Sequence, residues 1–199
     1  MSRPTTTLIL PISADGKLIS RDALLTDKDP SWRTQPKVIG YLQQFYDFST
    51  SDAYTLTTGA VMALSGVNTK SGNPEPSNLK LVVLDFNHDL TEKGINYLEK
   101  SVQELIVVKE ESSPTKILSS LYEKKVHKLT IHSTPMNAVW IEQGLIDYLT
   151  LIIYPLVVGE SGTPVTSIGL TTPQTLHLIE TRTFDTNYIC LRYTINEAT

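Results

Sequence analysis

Short apolar runs alternate along the chain with stretches whose apolar residues recur every three or four positions. The first run, Thr6 to Ile12, is a predicted strand centred on Leu8, Ile9 and Leu10. Ser13-Ala14-Asp15-Gly16-Lys17 follows, and Asp-Gly is a strong turn pair because both residues tolerate positive φ. Leu18-Ile19 then resumes a short strand. Further strands are expected at Ala53–Thr57, Leu79–Phe86, Glu104–Val108 and Leu129–Ile131. Helical spacing falls on Val38, Leu42, Phe45 and Tyr46, and on Ile95 and Leu98 within Leu90–Ser101. It recurs on Ile117, Leu118 and Leu121 within Pro114–Lys125, where Ser113 is the predicted cap. Thr58-Gly59-Ala60 turns into a short helical piece, Val61 to Leu64.

The stretch from Lys128 to Gly159 organises the rest. Its strand leads into His132-Ser133-Thr134 and Pro135, a residue favoured at the first helical position, with Ser133 or Thr134 as cap. A helix start at the carboxyl end of a strand is a common anion site, although a plain capped helix needs the same residues. Met136, Val139, Trp140 and Leu145 are expected to face inward, Asn137, Glu142 and Gln143 outward, and Gly144 to end the helix. Leu149 to Val158 reads as a strand apolar on both faces, hence central in a covered sheet. Gln174–Phe184 and Asn187–Ile195, joined at Asp185-Thr186, form a closing antiparallel hairpin. Between these elements, Arg21–Pro36 is polar and aperiodic, and its Trp32 either pins the loop to the core or lines a pocket. The pattern predicts a three-layer α/β/α fold with a mixed sheet, mostly parallel with an antiparallel edge.

With 199 residues, 40% of them hydrophobic, residues 1–199 are expected to form a single domain with a substantial core. Formal net charge is −4 without long runs of one sign, which argues against nucleic acid or a membrane surface as partner. A small anionic ligand needs only a local patch. No apolar run approaches the roughly 20 residues that span a bilayer, and MSRPTTTLILPIS is too short and β-branched for a signal peptide. One cysteine, Cys190, excludes an internal disulfide and fits a reducing, cytoplasmic setting. It lies in a strand-like run and reads as an inert buried thiol.

Several chemistries drop out. His127 and His132 flank a strand at odd spacing and point to opposite faces, so they cannot share a metal. No Cys-x-x-Cys, P-loop or Gly-x-Ser-x-Gly elbow is present. Glu110 and Glu111 read as solvated.

The order of motifs nevertheless resembles a family. Arg3-Pro4, a strand, and Ser13-Ala14-Asp15-Gly16-Lys17 resemble the opening of the reductase domain of riboflavin biosynthesis, which has a dihydrofolate-reductase-like fold. Trp32 is similar to the family's tryptophan after a polar loop. Trp140 to Leu149 (WIEQGLIDYL) and Tyr154-Pro155-Leu156-Val157-Val158-Gly159 resemble its Leu-Leu-Glu-Ala-Gly-Leu-Val-Asp-Glu-Leu and Ala-Pro-x-Leu-Leu-Gly. The resemblance implies reduction of a ribosylaminopyrimidine phosphate by hydride from NADPH, a small-molecule substrate, and a homodimer. It implies Ser13, Asp15, Gly16 and Trp32 beside substrate, and Thr57, Thr58, Gly59, Ala60, His132, Ser133 and Thr134 beside the cofactor.

The family's Glu-Gly-Gly after the strand is Ile131-His132-Ser133 here, and its Gly-x-Gly-Thr-Val is Thr57-Thr58-Gly59-Ala60-Val61. Its Ala-Asp-Asp-Pro is Ala63-Leu64-Ser65-Gly66, without the aspartates. Two readings follow. In one, His132, Ser133 and Thr134 replace the glycines as side-chain phosphate ligands, with His132 able to carry charge near neutral pH. In the other, a paralogue keeps the fold and binds another small molecule or acts through its dimer surface.

Overall fold

The computed structural model describes residues 2–19, 23, 26–38, 52–132, 137–184 and 187–195. Its contacts gather into two compact units, Met1–Thr5 with Ser49–Thr134, and Thr6–Phe48 with Pro135–Thr199.

The first unit carries β2 (Tyr54–Thr58), α1 (Gly59–Leu64), β3 (Lys80–Leu84), α2 (Glu92–Ser101), β4 (Glu104–Val108), α3 (Pro114–Glu123) and β5 (Lys128–His132). Its four strands are all parallel, in the order β4-β3-β2-β5. Parallel strands demand crossovers, and the alternating helices supply them. Thr91 caps α2 by accepting from the Gly94 amide at 3.1 Å, and the predicted Ser113 caps α3 by accepting from Lys116 at 3.4 Å. Val67, Leu81, Val83, Leu90 and Leu98 form a core on one face of this sheet. Leu56, Val82 and Ile131, of opposite parity, are also wholly buried.

The second unit holds β1 (Thr5–Ser13, from Thr6 onward), α4 (Asn137–Glu142), β6 (Tyr148–Tyr154), β7 (Leu176–Thr183) and β8 (Ile189–Ile195). β1 and β6 run parallel, β8 is antiparallel to β6, and β7 antiparallel to β8. Ile9, Ile19, Trp32, Val38, Ile152, Tyr154 and Tyr188 make its core. The strands are thus parallel except for the C-terminal pair, the mixed α/β arrangement that the pattern predicts.

Four expectations need correction. Asn137 is buried and Val139 is 40% exposed, the reverse of the expected faces. The inward stripe is Asn137, Trp140 and Ile141, the i, i+3, i+4 set, so position 139 turns outward. The strand predicted to reach Val158 stops at Tyr154, because Pro155 has no amide for the ladder and Leu156 N–H turns back to the Tyr154 carbonyl at 2.8 Å. Leu151 and Ile153 are only half-buried, so β6 is not covered on both faces. Leu18 makes an isolated bridge to Ile12 rather than a strand. The predicted helix through Leu42, Phe45 and Tyr46, the cap at Ser133 or Thr134, Met136, and the turn Asp185-Thr186 lie outside the described residues.

Candidate functional site

In the first unit the carboxyl ends of three neighbouring strands bring polar groups to one face. Registered residues of a parallel pair share a face: Thr55 pairs with both Leu81 and Thr130, and Thr57 pairs with Val83. Two residues on from Thr130 that face carries His132, the last residue of β5, while Gly59 opens α1 directly after β2 and Asp85 directly follows β3. Gly59 and Asp85 are immediate neighbours, Asp85 Oδ1 lying where a Cβ of Gly59 would be.

Thr58, the last residue of β2, caps α1 by accepting from the Val61 amide at 3.3 Å. Thr57 is 5% exposed, Gly59 is buried and Ala60 half-buried. Asp85 was not anticipated from the sequence. It is 1% exposed, and its Oδ1 accepts from the Asp89 amide at 2.8 Å and the Leu90 amide at 3.3 Å. Its Oδ2 is buried with no hydrogen-bond partner. A Cβ on Gly59 would stand 2.0 Å from Asp85 Oδ1 and 2.8 Å from Cγ. Glycine is required at 59 because the protein's own carboxylate occupies that space. The one signal in the sequence is an acid directly following the apolar run Leu81-Val82-Val83-Leu84, at the end of a strand where ligands of parallel sheets usually bind.

His132 is 8% exposed, and burial pulls its pKa from 6.5 down to about 3. The imidazole is therefore neutral at physiological pH, which corrects the expectation of a charged phosphate ligand. Ser133 and Thr134 lie outside the described residues.

The second unit places the residues expected beside substrate. Ser13 is buried; its hydroxyl donates to Asp15 Oδ1 at 2.6 Å and accepts from the Lys17 amide at 2.8 Å. Gly16 adopts φ 74°, as the Asp-Gly turn requires. Asp15 in turn accepts from the amides of Val158 at 3.1 Å and Gly159 at 2.8 Å. Partial burial works against its ionisation, but the Ser13 hydroxyl and the Gly159 and Val158 amides outweigh it and hold the carboxyl below its usual range. Ser13 and Asp15 are brought together, and both bind the turn and the loop after β6.

Trp32 sits in the 3-10 turn Pro30–Thr34, packed in the core with Tyr154 and Tyr188 and with the Arg33 guanidinium 4.3 Å from its ring centroid. Of the two roles open to it, the structure gives it the first, pinning the loop. Arg33 is itself buried. It donates to Asp27 Oδ2 at 2.6 Å and to the carbonyls of Ile19 at 2.7 Å and Leu18 at 3.0 Å. The other Asp27 oxygen accepts from the amide and hydroxyl of Thr163, both at 2.8 Å. This network too was missed, since nothing in the sequence spacing links Asp27 to Thr163.

Among the described residues no group of three His, Cys, Asp or Glu side chains is placed to hold a metal ion, and no helix is long and apolar enough to cross a membrane. Cys190 is a free thiol, raised in pKa by burial and Glu180 against the opposing pull of Arg182 and Arg192.

A mixed sheet, parallel except for its C-terminal strands, is the arrangement of the dihydrofolate-reductase-like α/β fold. The family model of the RibD C-terminal domain matches residues 4–190, and the chain belongs to that family. A riboflavin biosynthesis protein from Shewanella sp. PV-4 superposes with a TM-score of 0.61 at 15% identity, over 97% of this chain and 99% of that one. The riboflavin biosynthesis reductase Rib7 of Saccharomyces cerevisiae gives 0.57 at 16% identity, over 98% and 90%. Dihydrofolate reductase of Enterococcus faecalis, solved with NADP(H), gives 0.52 at 17% identity, over 97% of both chains. No curated protein matches the sequence. The fold expected from the motif order is thus the fold of this chain.

Proposed function

We propose that the chain is an NADPH-dependent reductase of a pyrimidine- or pterin-like heterocycle, similar to the enzyme that reduces 5-amino-6-(5-phosphoribosylamino)uracil. The observation that carries this reading is the family match across residues 4–190. The strand ends of the first unit support it in part. Thr58 caps α1 by accepting from the Val61 amide, and as the first two residues of that helix Gly59 and Ala60 have no carbonyl of their own helix to donate to. His132 ends the adjacent strand β5 as a buried imidazole that is neutral at physiological pH. These groups fit the ribose and the uncharged edge of a dinucleotide. Of the described residues proposed for the cofactor, none is cationic, so its phosphates would rest on amides and neutral side chains. NADPH, when bound, supplies the hydride. On the substrate side Ser13 and Asp15 act by fixing the turn after β1 and the loop after β6, while Trp32 packs in the core with its Nε1 unpaired.

A second reading is favoured by Asp85. A buried carboxylate pressed on Gly59, with one oxygen unpaired, works against a diphosphate there and suits a ligand that brings a hydrogen-bond donor. Thermal unfolding with and without NADPH separates the two. A ligand at 100 times its dissociation constant adds about 2.7 kcal/mol, a rise in Tm of several degrees. That rise, followed by oxidation of NADPH on adding a ribosylaminopyrimidine phosphate, is the expected result. No rise at millimolar NADPH overturns the reductase and leaves the second reading.

A further inference from the structure

The strand ends of the first unit carry a carboxylate that a phosphate-rich cofactor does not ask for. β2, α1 and β3 form a βαβ unit: a strand, a helix opened by Gly59, and a neighbouring parallel strand with Asp85 next in the chain. In βαβ units that bind dinucleotides, an acid in this part of the chain accepts from the 2′-hydroxyl of the adenosine ribose, whereas an arginine accommodates a 2′-phosphate. A carboxylate has only acceptors, so it is answered by a hydroxyl and repelled by a phosphate.

Asp85 is held in place. Its Oδ1 accepts from the amides of Asp89 and Leu90, which ties it into the β3–α2 loop, and its backbone amide donates to the Val108 carbonyl at 2.8 Å. Asn68 fixes the same loop from outside: its Nδ2 donates to the Asp89 carbonyl at 2.8 Å, and its Oδ1 accepts from the Thr91 amide at 2.9 Å. A Cβ on Gly94, in the first turn of α2, would stand 2.3 Å from that Oδ1, so α2 lies close against Asn68. The carboxylate is thus braced against Gly59, with Oδ2 buried and unpaired.

Nor does a cation answer it. The one arginine of the first unit, Arg3, precedes β1 and donates to the Pro4 carbonyl. Lys109 directly follows β4, is exposed, and makes no ion pair with Asp85; Glu110 and Glu111 come straight after it. The segments leaving β3 and β4 therefore carry Asp85, Asp89, Glu110 and Glu111 against one lysine and one histidine, Lys109 and His88. A phosphate monoester brings about two more negative charges near neutral pH, and like charges brought together away from water are strongly unfavourable.

We infer that Asp85 sets the choice of dinucleotide: NADH is bound at least as tightly as NADPH, because its ribose 2′-hydroxyl brings a donor where NADPH brings a phosphate. This rests on the reductase reading for the reaction and changes only which hydride donor is favoured. NADPH still binds at millimolar concentration, at a disadvantage that the carboxylate imposes.

The test is the dissociation constant of each dinucleotide for the full chain, by isothermal titration calorimetry with thermal unfolding alongside. The wild type is expected to hold NADH as tightly as NADPH or more so. Asp85→Asn should move the ratio of the two constants by about tenfold toward NADPH. Asp85→Ala, which removes both oxygens, should move it the same way and keeps the test open if the asparagine rearranges the loop. A wild type that holds NADPH more tightly than NADH overturns the inference and leaves the reductase, as does a ratio that neither substitution moves. A wild type that binds neither dinucleotide at millimolar concentration overturns the reductase reading, and the inference with it.

Discussion

Asp27 in the second unit and Asp85 in the first are both carboxylates withdrawn from water, and the chain treats them differently. Asp27 has a guanidinium on one oxygen and an amide plus a hydroxyl on the other. Asp85 has two amides on Oδ1 and nothing on Oδ2. A buried polar network satisfied at every atom fixes structure; one left incomplete holds a cost that the surrounding fold sustains. The incomplete carboxylate stands at the carboxyl ends of parallel strands, where α/β folds place ligands. The complete one ties together the 3-10 turn that carries Trp32 and the loop that follows β6. The difference marks the first unit's strand ends as the place to look for chemistry and the second unit's loops as scaffold.

Breaking the complete network should have the largest effect. Arg33→Met leaves Asp27 as an uncompensated buried charge, and a loss of about 3–5 kcal/mol in urea unfolding is expected. Pairing it with Asp27→Leu should recover most of that loss, since no lone charge remains. A single substitution that costs under about 1 kcal/mol would remove the distinction between the two carboxylates.

Gly59→Ala comes next. The added methyl meets Asp85 Oδ1 at 2.0 Å, and overpacking of this kind costs about 1–3 kcal/mol. In an Asp85→Ala background the cost should fall sharply, giving a coupling measurable by a double-mutant cycle. Equal costs in both backgrounds would separate the glycine from the carboxylate.

Asp85→Asn is expected to change stability by no more than about 1 kcal/mol, because an oxygen is kept for the Asp89 amide and the unpaired charge is removed. If the carboxylate hinders a phosphate, NADPH should bind more tightly to this variant. Weaker binding would count against the proposed cofactor position.

Two pH measurements give the smallest effects. Asp15 has its folded pKa below the ordinary 3.8, so its stabilising contribution is full above that value and fades as pH falls through the lowered one. The wild type should therefore exceed Asp15→Asn in Tm at neutral pH, with the gap closing in strong acid. His132, with a pKa near 3, does not titrate near neutrality. NADPH affinity should be flat across about pH 6 to 8 in any step that depends on it; a midpoint near 6.5 that disappears in His132→Ala would show that the imidazole charges in the bound state.

Much of the scaffold was legible in the residues. Glu104–Val108, the Ser113 cap, the Asp15-Gly16 turn and the closing antiparallel pair are set by local pattern: period, capping chemistry and positive φ. The errors have local causes as well. Asn137 and Val139 exchanged faces because the phase of a six-residue helix depends on where it starts, and β6 stopped early because Pro155 withholds an amide. The candidate site was less legible. Gly59 looked like a glycine kept for a ligand's phosphate, but the atom that requires it is Asp85 Oδ1, 26 positions along the chain. His132 looked able to carry charge, and only its burial within the fold makes it neutral.

The sequence by itself determined the alternation of strand and helix, because it follows from periodicity and short-range chemistry, and the order of its motifs carried the resemblance to the family. The tertiary structure alone decided which polar groups are answered. It set Arg33 and Thr163 around Asp27 and left Asp85 half-satisfied against Gly59. Hydrogen-bond satisfaction and burial are sums over neighbours distant in sequence, and those neighbours are chosen only when the chain closes on itself.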